Sequence, residues 1–187
     1  MDLYQAVMGR RSVRRYTSEP VSDELLHKML EAGRWAPSWA NTQCSRFVVA
    51  QERTKDKIAG LFDPESRNAK IINSVPAVIV ICGVLGQAGF KSGENISDKG
   101  DWYMFDTALA AQNMMLTAHD LGLGTVAMGL FDAPKVAEIL DIPSNVSVVL
   151  LLPVGHPEGE SKAPPRKELS EIAFQNVYSE PEVGDEF

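Results

Sequence analysis

Ala77-Val78-Ile79-Val80-Ile81-Cys82-Gly83 is an unalternated, largely β-branched run. A strand with one wet face alternates apolar and polar residues, so an unbroken run implies burial on both faces. Such a strand needs structure packed above it and below it. Upstream, Val21-Ser-Asp-Glu puts Ser22 at an N-cap with acids in the first turn, and Leu26, Met29, Leu30 and Gly33 follow with helical spacing. Pro37 ends that helix, and residues 38–45 form a polar loop. Phe47-Val-Val-Ala50 is a short strand, and residues 53–62 and 65–73 have helical patterning. Downstream, residues 85–99 are glycine-rich and polar, long enough to be a functional excursion. Residues 101–121 form the longest helix, whose stripe of Met104, Ala108, Ala111, Met115 and Ala118 is widened by Leu109, Ala110 and Leu116. Such a helix is buried on more than one side, at a domain centre or a subunit interface. Gly122 ends it. Strands at 124–129 and 146–154 flank a short helix at about 132–140 with Pro134 in its first turn, and residues 3–9 make a short helix at the start. The order of elements predicts one mixed α/β or α+β sandwich.

With 187 residues the chain has room for one full domain with an arm, and not for two. Hydrophobic residues at 44% and charged residues at 23% exclude a disordered or collagen-like chain. No apolar stretch approaches the roughly 20 residues of a membrane-spanning helix; the longest, Val75 to Cys82, is interrupted by Pro76. Arginines fall where a signal peptide would need its apolar core, and Cys44 and Cys82 have neither framework nor metal spacing, so the cytoplasm is the expected compartment. A net charge of −7 disfavours nucleic acid. Against that acidic background, Arg10, Arg11, Arg14 and Arg15 concentrate positive charge in six residues, which suits a small anionic ligand better than a long polyanion.

Several chemistries are missing. His27, His119 and His156 pair with no metal-ligand partner on their own elements and read as surface or capping histidines. There is no nucleophile elbow, no Cys-x-x-Cys and no phosphate loop. Gly122-Leu-Gly124-Thr-Val-Ala-Met-Gly129 has a displaced third glycine and runs from helix into strand, the reverse of a dinucleotide fingerprint. A bound cofactor is then the natural carrier of any chemistry.

Three segments suit such a cofactor, each with a plainer alternative. Arg10-Arg11-Ser12-Val13-Arg14-Arg15-Tyr16 offers guanidinium forks for a phosphate or a carbonyl-bearing ring, or favours the C-terminal dipole of the preceding helix. Ala36-Pro37-Ser38-Trp39-Ala40-Asn41-Thr42-Gln43 carries hydroxyl, amide and indole groups suited to a planar heteroaromatic, or simply ends a helix. Pro165-Arg166-Lys167 is a third basic spot, or a solvated one.

Taken together with Pro20-Val, Asp106, Ala110–Asn113, Gly122-Leu-Gly-Leu-Gly and Gly155-His-Pro, in consistent order along nearly the whole chain, these segments resemble the nitroreductase family of flavin-dependent oxidoreductases. The resemblance implies an α+β three-layer sandwich with a central mixed sheet, one domain over residues 1–187 with a C-terminal arm from about 156, and a homodimer built on the long helix. It implies FMN as cofactor and NAD(P)H as co-substrate. Arg10 and Ser12, with Arg11 beside them, would hold the phosphate and ribityl region, Arg14 the pyrimidine edge, and Arg166 with Lys167 the rest of the phosphate. Lys70 would stand near the flavin. Pro37, Ser38, Trp39 and Asn41 would reach the site from the other subunit. Met128 and Gly129 would bring a main-chain N–H to flavin N5. Gln43-Cys44-Ser45-Arg46 departs from the family's frequent Gln-Pro-Trp and alters the pocket rim.

The activity so implied is ping-pong transfer from NAD(P)H through the flavin to a nitroaromatic, a quinone or a similar acceptor. Its alternatives are a flavin storage or sensor protein, specialised flavin chemistry such as dehalogenation or flavin fragmentation, and a cofactor-free docking patch. No nucleic acid or membrane partner is expected. Residues 169–178 would embrace the partner subunit, and the acidic residues 181–187 would form a mobile tail.

Overall fold

A computed structural model describes residues 1–178, so the acidic stretch at 181–187 lies outside the described residues. Strand β1 (Ser45–Gln51) pairs antiparallel with β2 (Ala77–Val84), β2 with β6 (Val146–Gly155), and β6 with the two-residue β5 (Gly124–Thr125). The sheet order is therefore β1-β2-β6-β5, and a parallel bridge between Ser12 and Thr125 makes it mixed. A second, small hairpin of β3 (Phe90–Lys91) and β4 (Glu94–Asn95) sits within the 85–99 excursion.

All eight residues of β2 are buried. Ala77, Ile79 and Ile81 face a core shared with Leu26 and Met29 of α2 (Asp23–Arg34) and with Ala111, Met114 and Ala118 of α5 (Tyr103–Asp120). Val78, Val80 and Cys82 face the opposite core, shared with Ile58 of α3 (Glu52–Ala59), Ile71 and Ile72 of α4 (Arg67–Ser74) and Val136 of α6 (Ala133–Ile139). Successive side chains of a strand point to opposite faces, so one apolar run fills two cores and the molecule is a three-layer α+β sandwich. Each fully buried Val or Ile contributes about 1.5–3 kcal/mol.

The cap expected at Ser22 forms, and two further helix starts are capped as well. Ser22 accepts from the Leu25 N–H and caps α2, and Asp132 accepts from the Lys135 N–H to cap α6. Helix α1 (Leu3–Gly9) begins with a capping box of Asp2 and Gln5. Gly83 matters by what it lacks: a Cβ there would stand 2.6 Å from Cδ2 of Tyr103, so only glycine lets the first turn of α5 settle on β2.

Two expectations change. In α5 the inward line is Asp106, Ala110, Met114 and Ala118 with Thr107 and Ala111, whereas Met104 is 54% exposed and Ala108 is exposed too. The helix is apolar around much of its circumference, so polarity alone does not select the face. Helix α1, which packs against α5, leaves Leu3, Tyr4, Val7 and Met8 exposed as well. Of residues 124–129, Gly124 and Thr125 alone form a ladder, and Met128 returns only as an isolated bridge to Leu151.

Both cysteines are free and buried. Burial first, then the hydrogen bond to Asp106, pushes the Cys44 thiol up to about 12, and burial pushes Cys82 up to about 11. Native protein at pH 8 therefore leaves both thiols unmodified by a chromogenic disulfide reagent, and unfolding releases both. A thiol whose value is raised in the folded state contributes stability that is whole below its unfolded value and is lost as pH climbs towards the folded one. Denaturant titrations should accordingly show stability falling from about pH 9 upward; a rapid thiol reaction in the native state would contradict the packing.

Candidate functional site

Residues 10–17 leave α1 and cross the β5 edge of the sheet in extended form. The Val13 N–H donates to Thr125 O at 2.9 Å, the Thr17 N–H to His156 O at 2.9 Å, and the Glu158 N–H to Arg15 O at 2.9 Å. Tyr16, buried, donates its hydroxyl to Val13 O at 2.7 Å, and burial raises its phenol well above the ordinary range. Val13 can lie against β5 because position 124 is glycine: a Cβ there would come within 2.8 Å of the Val13 side chain. With Val13 turned to the sheet, the extended backbone sends Ser12 and Arg14 the other way.

The four arginines take different positions. Arg11 donates to Met8 O at 2.6 Å and to Arg10 O at 2.9 Å, so it serves the C-terminal carbonyls of α1, the plainer of the two roles its spacing allowed. Arg10 is half-buried in a cavity of about 430 Å³ with Arg11, His119, Thr125 and Ser161. Its guanidinium is pushed down by burial first, with the charges of Arg11 and Arg166 acting in the same direction. Arg166 itself is exposed, reaching Pro164 O and Pro165 O at 3.4 Å, and Lys167 lies exposed outside these cavities. Arg14 reaches Ser12 O at 3.2 Å and lines two adjoining cavities. One, about 410 Å³, contains Lys70, Arg67 and Ser74; the other, about 270 Å³, contains Ser12, Arg15, Arg67 and Lys162. Lys70 is held by Glu65 at 2.8 Å. Among the described residues no ion pair joins Arg10, Arg14, Arg15, Arg67 or Arg166 to a carboxylate.

The second segment lies elsewhere. Pro37 and Ser38 line a separate cavity of about 170 Å³ with Gly33, Arg46 and Phe47, so within one chain this loop does not meet the arginines. Its form is strained: Ala40, Asn41 and Gln43 all hold left-handed φ of 41°, 56° and 50°. Each such residue costs of order 1–3 kcal/mol unless its surroundings impose it. Here the buried Asp106 carboxylate takes the Trp39 N–H on both oxygens at 3.1 Å and the Cys44 thiol at 3.4 Å. Ser38 Oγ accepts from the Gln43 N–H at 2.9 Å, and the Trp39 ring packs 5.4 Å from Trp102.

Of the two residues expected beside the ring, Met128 has its main chain paired. The Met128 N–H donates to Leu151 O at 2.9 Å, and Met128 O receives the Leu151 N–H in return, so this amide is committed to the sheet. Gly129 is exposed, with nothing within 4 Å of where its Cβ would lie. Sequence reasoning missed Arg67 as well, a lone arginine at a helix start with no local signal. It also missed Asp106 as the anchor of the strained loop.

Guanidinium groups without a carboxylate partner, gathered along one cleft, are a donor set suited to a phosphate. The residues present therefore fit a phosphate-bearing cofactor such as FMN. No cluster of His, Cys, Asp and Glu suited to a metal occurs among the described residues, and no described helix is long and apolar enough to cross a membrane.

The molecule is thus a three-layer α+β sandwich with a basic cleft along one sheet edge. Comparison with known proteins narrows that class. The nitroreductase family profile matches residues 7–156, and the chain belongs to that family. A Methanothermobacter thermautotrophicus protein, whose name couples NADH dehydrogenase with NAD(P)H nitroreductase, is 30% identical over 84% of this chain and 78% of its own length. The Bacillus subtilis FMN reductase [NAD(P)H] is 27% identical over 95% of this chain and 74% of its own. The crystal structure of a nitroreductase family protein from Clostridium difficile 630 superposes with a TM-score of 0.81 at 26% identity, covering 95% of this chain and all of that one.

Proposed function

We propose that this chain is an FMN-dependent NAD(P)H oxidoreductase that works as a homodimer. The observation that carries the reading is the half-buried Arg10, which lines a cavity with Arg11 and His119 and has no carboxylate partner among the described residues. Arg10, Ser12 and Arg166 hold the cofactor's phosphate and ribityl chain, with Lys167 at the rim and Arg11 buttressing Arg10 from the end of α1. Arg14 and Lys70 face the pyrimidine edge, where positive charge stabilises electron density gained on reduction. Gly129, rather than Met128, offers the main-chain N–H beside the ring.

Held by these residues, FMN would supply the redox chemistry, linking NAD(P)H to a nitroaromatic, quinone or similar acceptor in ping-pong fashion. The chain binds, orients and supplies charge. Two features support the dimer. Pro37, Ser38, Trp39 and Asn41 are separated from the arginine cleft of their own chain, as expected if they complete the partner's site. Leu3, Tyr4, Val7 and Met8 on α1 and Met104 and Phe105 on α5 are exposed apolar side chains of the kind that subunit contacts bury. Leu169, Ile172 and Val177 of the segment after residue 156 are exposed as well, and would lie on the partner.

The visible absorbance of the purified protein, repeated without oxygen after adding NADH or NADPH, tests the reading. The expected result is a flavin spectrum that bleaches. A yellow protein that does not bleach would indicate storage or another reductant, and failure to bind added FMN would remove the cofactor altogether.

A further inference from the structure

A small apolar core stands apart from the two that flank the sheet. Cys44, Val84 and Ala88 are buried in it, and Trp39, Trp102, Tyr103 and Val146 pack against them. It joins three segments that are distant in sequence: the strained loop after α2, the excursion after β2 and the first turn of α5. Trp102 is where they meet. It caps the start of α5, four residues before Asp106, so the two side chains stand on the same side of that turn. Asp106 takes the Trp39 main-chain N–H, and Trp102 takes the Trp39 ring, with centroids 5.4 Å apart at 38°. Among the described residues Trp39 has no other aromatic partner.

Trp102 is itself fixed from the excursion. Its indole N–H donates to Ser97 Oγ, its main-chain N–H donates to Ala88 O at 2.9 Å, and Phe105 meets its ring edge-on at 5.2 Å. Gly89 allows the excursion to close: its φ is +87°, and a Cβ there would stand 2.8 Å from Gly100 O and 2.9 Å from Cδ1 of Trp102. No residue from 85 to 102 lines the cavities that contain Arg10, Arg14 or Lys70.

We infer that Trp102 is a positioning residue for the flavin site of the partner subunit, acting through Trp39. The inference rests on the dimer proposed above, in which Trp39 reaches that site. Asp106 fixes the Trp39 main chain but leaves its ring free to turn about χ1 and χ2, and the face of Trp102 removes that freedom. A side chain ordered before its ligand arrives loses little further entropy on binding, so its contacts appear as affinity. The excursion thereby sets a ring in the other subunit's site while standing clear of the arginine cleft of its own.

The experiment measures FMN affinity by quenching of flavin fluorescence. Trp102→Leu removes the ring contact, Trp102→Phe keeps an aromatic face, and Ser97→Ala removes only the acceptor of the indole N–H. Lys91→Gln, exposed on the same excursion, is the control. Trp102→Leu should weaken FMN binding about tenfold, the scale of one lost aromatic pair. Trp102→Phe should restore most of that, Ser97→Ala should show a smaller loss in the same direction, and the control should match wild type. Ser97→Ala carries the same prediction if the leucine variant does not fold. Dimers of two differently tagged chains then show which site Trp102 serves. Pairing an Arg10→Ala chain with a Trp102→Leu chain leaves one site untouched, because Arg10 of the second chain meets Trp39 of the first. One FMN per dimer should bind with wild-type affinity. Placing both substitutions on one chain, opposite a wild-type chain, should leave no such site. The reverse pattern would show Trp102 acting within its own chain and overturn the inference. Unchanged FMN affinity in folded Trp102→Leu and Ser97→Ala would overturn it too. A wild-type protein that is monomeric or binds no FMN would instead sink the function proposed above, an outcome seen before any variant is made.

Discussion

Arg10→Ala is expected to weaken FMN binding by roughly 10- to 100-fold, the scale of one or two charge-assisted phosphate contacts. The same substitution should leave the cofactor-free protein as stable as wild type, or slightly more so. Arg10 donates to no carboxylate among the described residues, and Arg11 and Arg166 add like charge to its burial, so its removal relieves a cost that a bound anion would offset. Arg11→Ala should behave in the opposite way. Its guanidinium caps α1 through Met8 O, so the cofactor-free protein loses about 1 kcal/mol while FMN affinity changes little by comparison. Ligand binding raises stability by mass action. Thermal melts with and without FMN therefore separate the two: the FMN-induced rise in Tm shrinks for Arg10→Ala, and the baseline Tm drops for Arg11→Ala. Equal behaviour of the two variants would mean that the guanidinium groups share one role and that the assignment of Arg10 to the phosphate is wrong.

Asp106→Ala is expected to cost about 3 kcal/mol, or about 6–12 °C in Tm for a chain of this size. The carboxylate is 2% exposed and holds the Trp39 N–H and the Cys44 thiol together. Its loss leaves a part-buried donor without an acceptor and removes what imposes left-handed backbone on Ala40, Asn41 and Gln43. Asp106→Asn, whose amide oxygen can still accept from Trp39, should lose about half as much. Tryptophan emission adds a local readout, because Trp39 and Trp102 part when the loop relaxes. A wild-type melting curve for the alanine variant would show that the loop keeps its form without this anchor.

How far these features could be read from the chain differs by residue. The helix at Ser22 was legible because a cap, two acids and a helical apolar spacing all agree. The two-faced burial of β2 followed from its lack of alternation. The inward face of α5 was not legible: Met104 and Phe105 are as apolar as Met114, and only the position of the sheet decides between them. The arginine cluster was visible as composition, but its division of labour was not. Arg11 turns back to Met8 and Arg10 turns into a cavity because of where α1 ends, a tertiary fact. Arg67 and Lys162 gave no signal because each stands alone in its own stretch and meets the others only across the fold. The Met128 amide was hidden for a similar reason, since its acceptor, Leu151, belongs to a strand that is distant in sequence.

The double-sided burial of β2 raises a problem of alignment. In a strand with one polar face, slipping by a residue exposes the wrong side chains and is self-correcting. Here either phase of Ala77–Val84 presents apolar groups to both layers, so polarity does not distinguish the right pairing from its neighbours. Gly83 does. Slipped by one residue, the strand would bring Cys82 or Val84 beneath Tyr103, where even a Cβ stands 2.6 Å from the ring. The irregularity opposite Ile81 and Cys82, where β6 carries one extra residue, gives a second mark. A glycine and a bulge thus act as the index pins of a sheet whose apolar residues are interchangeable, and they hold the β6–β5 edge in the one alignment that sets Thr125 beside Ser12.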